Sequence, residues 1–163
     1  APYKAIVRHA KGSTVGHLGA TYELKQFHFH SPSEHQRNGR NAAAEIHFVH
    51  GDPEGNLAVI GVLVEEGAAH PTISRLWESL PTEEGKTNGL GQPINAADLL
   101  PKAREYYFYQ GSLTTPPCTE GVRWLVMKES ITMSPDQIAA LKRALHHDNN
   151  RPVQPLYGRV VFE

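Results

Sequence analysis

The sequence is poor in the features that mark disulfide-rich domains, membrane spans and nucleic-acid binders. It has a single cysteine, Cys118, among 163 residues, so no disulfide can close within the chain. No apolar run approaches the roughly 18 residues of a transmembrane helix. The formal net charge is -1, which gives no electrostatic reason to expect binding to nucleic acid or to an anionic membrane.

Internal repeats, linkers and low-complexity tracts are also missing. A chain of 163 residues with 39% apolar and 20% charged residues is typical of one globular domain with a sizeable core. The chain opens with Ala1-Pro2-Tyr3 rather than methionine, so we interpret it as a mature form or as a fragment. We therefore predict a single domain over residues 1–163.

The apolar pattern predicts a mainly β fold of the α+β type, with a central, largely antiparallel twisted sheet and a few short peripheral helices. A helix is expected over 72–80, one helical turn over 95–98, and a second helix after Ser134, where a capping box and a proline coincide. Loops are expected at 31–41, 82–92, 111–119 and 151–155. The predicted strands are 5–8, 22–30, 43–49, 57–64, 106–109, 122–127 and 159–162.

Histidine, by contrast, is abundant, and three of the ten histidines form a pattern. In the stretch Gln26-Phe27-His28-Phe29-His30, alternate side chains share one face of a strand, so His28 and His30 point the same way. His47 lies on the next predicted strand, and short connections make consecutive strands neighbours. Three imidazoles with one position left for water are typical of catalytic zinc.

Two carboxylate or amide side chains stand next to these histidines. Gln26 lies two residues before His28, and Glu45 lies two residues before His47, each on the histidine face. Metal-bound imidazoles usually donate their other N–H to such an acceptor, which fixes the ring and its tautomer. The spacing therefore favours a metal site over three unrelated histidines.

The loop Ser112-Leu113-Thr114-Thr115-Pro116-Pro117 adds hydroxyl groups on a backbone that two prolines stiffen. A rigid hydroxyl can orient a metal-bound hydroxide by accepting its hydrogen. Glu34 is then a candidate acceptor for the hydroxyl's own hydrogen.

A second metal chemistry is also compatible with these residues. His28-x-His30-x3-Glu34 fits the first motif of a cupin-like metalloprotein, in which Glu34 would bind iron or manganese directly. A second cupin motif is not evident in the sequence. Whether Glu34 contacts the metal would distinguish the two interpretations.

Four stretches together resemble the α-type carbonic anhydrases in their bacterial form: 26–35, 44–47, 111–120 and 151–156. The resemblance covers nearly the whole chain in the same order. It implies His28, His30 and His47 as zinc ligands, and it implies that Thr114 accepts the hydrogen of the zinc-bound hydroxide while Glu34 accepts that of Thr114. The family is itself the standard example of a three-histidine zinc site, in which the pKa of bound water falls to about 7.

The resemblance implies further site residues. Gln26, Glu45 and the backbone carbonyl of Asn149 would orient His28, His47 and His30, respectively. Thr115 would lie near bicarbonate. An apolar wall would hold carbon dioxide, formed by Val49, Val59, Leu113, Val122 and Trp124.

The implied activity is the zinc-dependent, reversible hydration of carbon dioxide to bicarbonate and a proton, through attack by zinc-bound hydroxide. Sulfonamides are then expected inhibitors, and the bacterial forms suggest a periplasmic or extracellular location. The resemblance is also compatible with a homodimer. A non-enzymatic alternative is a catalytically weak, carbonic anhydrase-related binding module. Such modules typically lack a zinc histidine, whereas all three positions are filled in this sequence.

The sequence departs from the family in two places. The position of the family's proton-shuttle histidine falls on Tyr3, and a tyrosine with a pKa near 10 is a poor relay at pH 7. The shuttle residue is therefore unassigned. The family's usual N-terminal segment, with a cysteine that pairs with the equivalent of Cys118, has no counterpart, so we expect an N-terminally incomplete domain. Cys118 is then half of a missing bridge rather than a small apolar loop residue.

Overall fold

The computed structural model of the chain describes residues 5–7, 12–81, 83 and 86–163. Within these residues the chain forms mostly strands, with two α-helices and one turn of 3-10 helix over Ala96–Leu99. The helices are α1 (Pro71–Trp77) and α2 (Pro135–Leu145). The strands are β1 (Ala5–Val7), β2 (Thr14–His17), β3 (Ala20–His30), β4 (Gln36–Arg37), β5 (Arg40–Asn41), β6 (Ala44–Gly51), β7 (Leu57–Glu66), β8 (Tyr106–Ser112), β9 (Glu120–Met127) and β10 (Ile131–Met133).

Eight of these strands form one curled sheet in the order β1-β3-β6-β7-β9-β8, with β2 beside β3 and β10 beside β7. Pairing is antiparallel except between β7 and β9 and between β7 and β10. The predicted fold class is confirmed, including the antiparallel neighbours β3, β6 and β7. The remaining two strands, β4 and β5, make a small hairpin inside the predicted loop 31–41.

A β-bulge in β3 separates the histidine face from the core face. The register with β6 shifts between Leu24 and Gln26, and a bulge changes which face later residues occupy. Strict alternation would place Tyr22 and Leu24 on the face of His28. Because of the bulge, both pack instead into the same buried cluster as Phe27. The histidine face is thereby kept clear of these two large apolar side chains.

Two hydrophobic clusters lie on the sheet. The larger one contains Phe27 and Phe29 of β3 and the buried faces of both helices, including Ile73 and Leu141. The smaller one shares the histidine face, because cross-strand partners point to the same side of a sheet. Its buried members are Val59, Val122, Trp124 and Val126.

The helices begin close to where the sequence predicts them. Helix α1 starts at Pro71 and ends at Trp77, three residues before the predicted end, and turn hydrogen bonds continue as far as Leu80. Helix α2 begins after Ser134, and the predicted capping box with Gln137 is present. The predicted helical turn over 95–98 corresponds to the 3-10 turn, which Asn95 caps by accepting a hydrogen bond from Ala97 N.

The buried side chain of Gln137 joins the starts of the two helices. Its Oε1 accepts from the backbone N–H groups of His70 (2.9 Å) and Ser134 (3.1 Å), and its Nε2 donates to the His70 carbonyl and Ser74 Oγ, both at 2.9 Å. We expect Gln137→Ala to lower the free energy of unfolding by about 1–3 kcal/mol, since it leaves the partly buried backbone groups of His70 and Ser134 without this partner. Urea denaturation measures the change. The exposed Gln92→Ala should shift it by less than about 0.5 kcal/mol, and equal effects of the two variants would contradict the assigned role.

The predicted strand over 159–162 is wrong. Only Phe162 pairs with the sheet, through two backbone hydrogen bonds to Phe108 of 2.9 and 2.8 Å. Tyr157 and Gly158 have positive φ angles, and Arg159 N closes a turn onto Leu156 O. The turn over 156–159 therefore occupies the start of the predicted strand, despite the apolar pattern of the residues that follow. None of the helices among the described residues is long and apolar enough to span a membrane.

Candidate metal centre

Strands β3 and β6 bring the three histidines together. The antiparallel register places His28 directly opposite His47 and His30 opposite Glu45. The three imidazoles are buried, with exposed fractions of 4%, 1% and 1% for His28, His30 and His47. Each ring offers one nitrogen, and these nitrogens all lie within 4.8 Å of one another, which is compact enough for one metal ion.

The two rings on β3 are each held through Nδ1. His28 Nδ1 donates to Gln26 Oε1 at 2.8 Å, and His30 Nδ1 donates to the backbone carbonyl of Asn149 at 3.1 Å. These tautomers are assigned from the hydrogen-bond network, because amide and carbonyl oxygens only accept. A neutral imidazole with its hydrogen on Nδ1 presents the Nε2 lone pair, which is the form that binds a metal.

Glu45 holds the third ring and is the most highly connected group of the site. Its Oε1 accepts from His47 Nε2 at 2.9 Å and from His35 Nδ1 at 2.6 Å. Its Oε2 accepts from the backbone N–H groups of Glu34 (2.9 Å) and His35 (2.8 Å). Burial alone raises the pKa of Glu45, but His35 and His47 outweigh it and hold the pKa well below its usual range. The fully buried carboxylate therefore stays ionised.

Gly61 makes the space that this carboxylate occupies. It lies on β7 opposite His47, and a Cβ atom there would stand 2.9 Å from Glu45 Oε1. This residue was not predicted from the sequence. Its signal was a lone glycine inside the apolar run 57–64, which often indicates close approach of another group.

Glu34 and Thr114 line the same cavity of about 750 Å³. Glu34 is 7% exposed, and its Oε1 accepts from the backbone N–H of Arg151 at 2.8 Å. Its Oε2 is buried without a hydrogen-bond partner among the described residues, and it lies 3.8 Å from His47 Nδ1. No hydrogen bond joins Thr114 to Glu34 in the described part of the chain. Glu34 Oε2 is therefore available to accept a hydrogen bond beside the histidine cluster.

The five residues of the expected apolar wall fall in the smaller hydrophobic cluster. Val59, Val122 and Trp124 are among its buried members, and Val49 and Leu113 pack against them. The Trp124 ring meets the His47 ring edge to face, with centroids 4.8 Å apart. Thr115 is half-buried, and its carbonyl accepts from Cys118 N at 2.9 Å. The structure thus places an apolar surface directly beside the histidines.

Two other predicted residues lie apart from this cluster. Tyr3, at the expected position of the proton shuttle, is outside the described residues. Cys118 is a half-buried free thiol with a positive φ of 57°.

The donor set suits zinc. Three neutral imidazoles with a compact arrangement of ring nitrogens are a common protein environment for Zn²⁺. A second group of candidate ligands, His35, Glu45 and His47, shares one ring with the first. Its carboxylate already accepts four hydrogen bonds, so the first group is the better ligand set. Glu34 belongs to neither group among the described residues.

The comparisons with known proteins agree with this geometry. The sequence profile described as eukaryotic-type carbonic anhydrase matches residues 5–163. Carbonic anhydrase of Neisseria gonorrhoeae is 49% identical over 93% of this chain and 60% of its own length. That of Pectobacterium carotovorum is 41% identical over 96% of this chain and 64% of its own. The α-carbonic anhydrase of Thermovibrio ammonificans, solved with the inhibitor sulfanilamide, superimposes with a TM-score of 0.95 at 46% identity, covering 97% of this chain and 70% of that one.

The chain therefore spans about 60–64% of the length of these two curated relatives. A match of this extent excludes the cupin-like alternative, which also required Glu34 among the metal ligands. The profile match covers both histidine strands and the threonine loop, and with the identities of these relatives it shows that the chain belongs to the eukaryotic-type carbonic anhydrase family.

Proposed function

We propose that this chain binds zinc through His28, His30 and His47 and carries out the reversible hydration of carbon dioxide to bicarbonate and a proton. The observation that carries the proposal is the set of three buried imidazoles whose outer nitrogens each donate to a fixed acceptor. That arrangement preorganises three neutral ligands of one metal ion. The family membership supports the reaction.

When bound in such a site, Zn²⁺ supplies Lewis-acid activation of water near neutral pH. The chain's own residues supply orientation and charge. Gln26 and the Asn149 carbonyl keep the hydrogens of His28 and His30 away from the metal position. The ionised Glu45 does the same for His47 and increases its basicity as a ligand.

Thr114 and Glu34 are proposed to orient the nucleophile. Glu34 Oε2 is available to accept a hydrogen bond, whereas Oε1 already accepts one from Arg151 N. A hydrogen bond from the Thr114 hydroxyl to Glu34 would leave the threonine's lone pair to accept a hydrogen from the attacking hydroxide. Only the correctly oriented lone pair of that hydroxide would then face the carbon atom.

The apolar cluster is proposed to hold carbon dioxide. The substrate has neither net charge nor dipole, so it needs no polar partner in its binding site. An apolar wall can therefore hold carbon dioxide while it excludes water. Val59, Val122 and Trp124 are buried in one cluster, and the Trp124 ring contacts that of His47. Thr115, in the neighbouring loop, is proposed to contact bicarbonate.

The metal content of the purified chain and its carbon dioxide hydration test this function. We expect one zinc per chain, hydration that a sulfonamide suppresses, loss of activity after chelation, and recovery with added zinc. A chain that binds no zinc, or is inactive when loaded, would instead match the binding-module alternative. The sulfanilamide complex of the Thermovibrio ammonificans enzyme supports the choice of inhibitor. The periplasmic or extracellular location, the homodimer and the single domain over 1–163 stay predictions.

A further inference from the structure

A histidine outside the metal centre joins the turn between β2 and β3 to strand β8. His17 is the last residue of β2 and is 7% exposed. Its ring centroid lies 4.8 Å from that of Phe108 and 6.0 Å from that of Tyr106, both on β8. In the order of the sheet, β2 and β8 are separated by β3, β6, β7 and β9. This contact therefore depends on the curl of the sheet.

The surroundings of the His17 ring suit its neutral form. His17 Nδ1 is buried and has no hydrogen-bond partner among the described residues. A neutral imidazole carries one N–H and can keep it on Nε2, whereas a protonated imidazole carries an N–H on both nitrogens. Protonation would therefore create a buried donor without an acceptor, which is costly.

The guanidinium of Arg123 on β9 gives a second reason for the ring to stay neutral. Its Nη1 is also buried without a hydrogen-bond partner in the described part of the chain, and its Cζ lies 5.7 Å from the centroid of the buried Tyr22 ring. Burial and the charge of Arg123 both lower the pKa of His17. Because arginine stays charged at all ordinary pH values, a protonated His17 would experience like-charge repulsion.

The carboxylates near His17 are too exposed to offset these two effects. Glu105 and Glu163 line the same cavity of about 600 Å³ as His17. Glu105 is exposed, and the Glu163 side chain is 70% exposed and lies 3.5 Å from Lys128 Nζ, which also lines the cavity. Solvent and salt screen the charges of such exposed groups.

We propose that His17 is an acid-sensitive contact of the fold: the neutral ring holds the β2–β3 turn against β8, and protonation of the ring releases the turn. Strand β3 runs from this turn to His28 and His30. Opening of the turn would therefore free one end of the strand that carries two of the proposed zinc ligands. The contact itself does not depend on the zinc site proposed above.

The opening of the turn should become more favourable as the pH falls. In the open state the His17 ring is in water, where its pKa has the ordinary value of about 6.5. In the closed state the pKa is lower, so below about pH 6.5 the open state binds the proton more tightly and gains population. Above that pH the ring is neutral in both states. Since one pH unit changes such an equilibrium by up to about tenfold, we expect opening to increase about three- to tenfold between about pH 8 and about pH 5.5.

Hydrogen exchange of the backbone amides of β2 measures this opening in the purified chain. Protection factors, corrected for the intrinsic pH dependence of exchange, are compared at the two pH values. The amides of β7, which is paired on both sides by β6 and β9, are the internal reference. Metal content is measured in the same samples, so that acid-induced loss of metal is seen separately. We expect the protection of β2 to fall about three- to tenfold at about pH 5.5, and that of β7 to be unchanged.

His17→Leu is the decisive variant, because it keeps a side chain of similar size and removes both ring nitrogens. Its β2 protection should not depend on pH. His147→Leu is the matched control, since it also removes one histidine but at an exposed position after α2. It should show the same acid response as the unaltered chain. Arg123→Met removes the neighbouring charge and keeps His17, so its acid response should be smaller.

An acid response of equal size in His17→Leu and in the unaltered chain would overturn the inference, as would equal protection of β2 in the unaltered chain at both pH values. If His17→Leu does not fold, Arg123→Met decides: a smaller response supports the inference, and an unchanged response contradicts it. A change in β7 equal to that in β2 would indicate global unfolding and would also contradict a local contact.

Discussion

Replacing His30 with alanine is expected to abolish tight zinc binding and, with it, carbon dioxide hydration. His30 is 1% exposed, and its ring centroid lies 4.9 Å from that of His28 and 4.6 Å from that of His47. Its removal would delete one of the three proposed protein ligands. It also leaves the Asn149 carbonyl without the hydrogen bond it receives at 3.1 Å. The loss of affinity should far exceed the roughly 100-fold upper limit for losing an outer partner.

His50→Ala is the matched control for this variant. His50 is also a buried histidine of β6, 5% exposed, and its Nδ1 bonds the Phe48 carbonyl at 2.9 Å. It lies three positions after His47, an odd offset, so it faces the opposite side of the sheet. Both variants should lose some stability, but only His30→Ala should lose zinc in a chelator competition. Retention of stoichiometric zinc by His30→Ala would remove the three-histidine site from consideration.

The local part of the site was predictable because alternation along a strand is a strong constraint. Once His28 and His30 share a face, the positions of Gln26 and of Phe27 follow from a period of two. The convergence of His47 with His28 and His30 was predicted from short connections between consecutive strands, whereas the register that sets His28 opposite His47 was not. Both expectations depend only on residues close in sequence or on adjacent strands.

The bulge near Lys25 was not predictable from alternation, although it explains why Tyr22 and Leu24 join the core. A bulge depends on pairing with the neighbouring strand as well as on the bulged strand itself. The hydrogen bond between Tyr109 and His35 was hidden for a related reason. The two residues are 74 positions apart, and they meet only because β8 and β9 follow β7 across the curled sheet.

Glu45 couples the proposed metal ligand His47 to Glu34, which is proposed to help orient the nucleophile. One oxygen faces His47, and the other accepts the backbone N–H groups of Glu34 and His35. A movement of this carboxylate would therefore displace His47 and Glu34 together. Because Glu45 lies on a buried central strand, it can hold His47 and Glu34 within the small positional tolerance that catalysis requires.

The second large effect is expected for Thr114→Ala, which should retain zinc and lower kcat/KM by about 10²–10³-fold. That range is typical for the loss of one positioned hydrogen bond in a transition state. Thr114 lines the cavity beside Glu34, whose Oε2 is the acceptor position left open near His47. Without the threonine hydroxyl, the attacking hydroxide can rotate, so fewer encounters with carbon dioxide have the productive orientation. Stopped-flow hydration and metal analysis of the same sample measure the two effects separately.

Thr119→Ala is the control for changes in the loop itself. Thr119 is exposed, and only its backbone carbonyl takes part in the hydrogen bond from Leu113 N at 2.9 Å, so the substitution leaves that bond intact. Its kcat/KM should match that of the unaltered chain. Thr114→Ser restores a hydroxyl without the methyl group and should recover most of the activity, which separates the hydrogen bond from packing. If Thr114→Ala hydrates carbon dioxide as fast as Thr119→Ala, the threonine does not orient the nucleophile, and the open oxygen of Glu34 must serve another group.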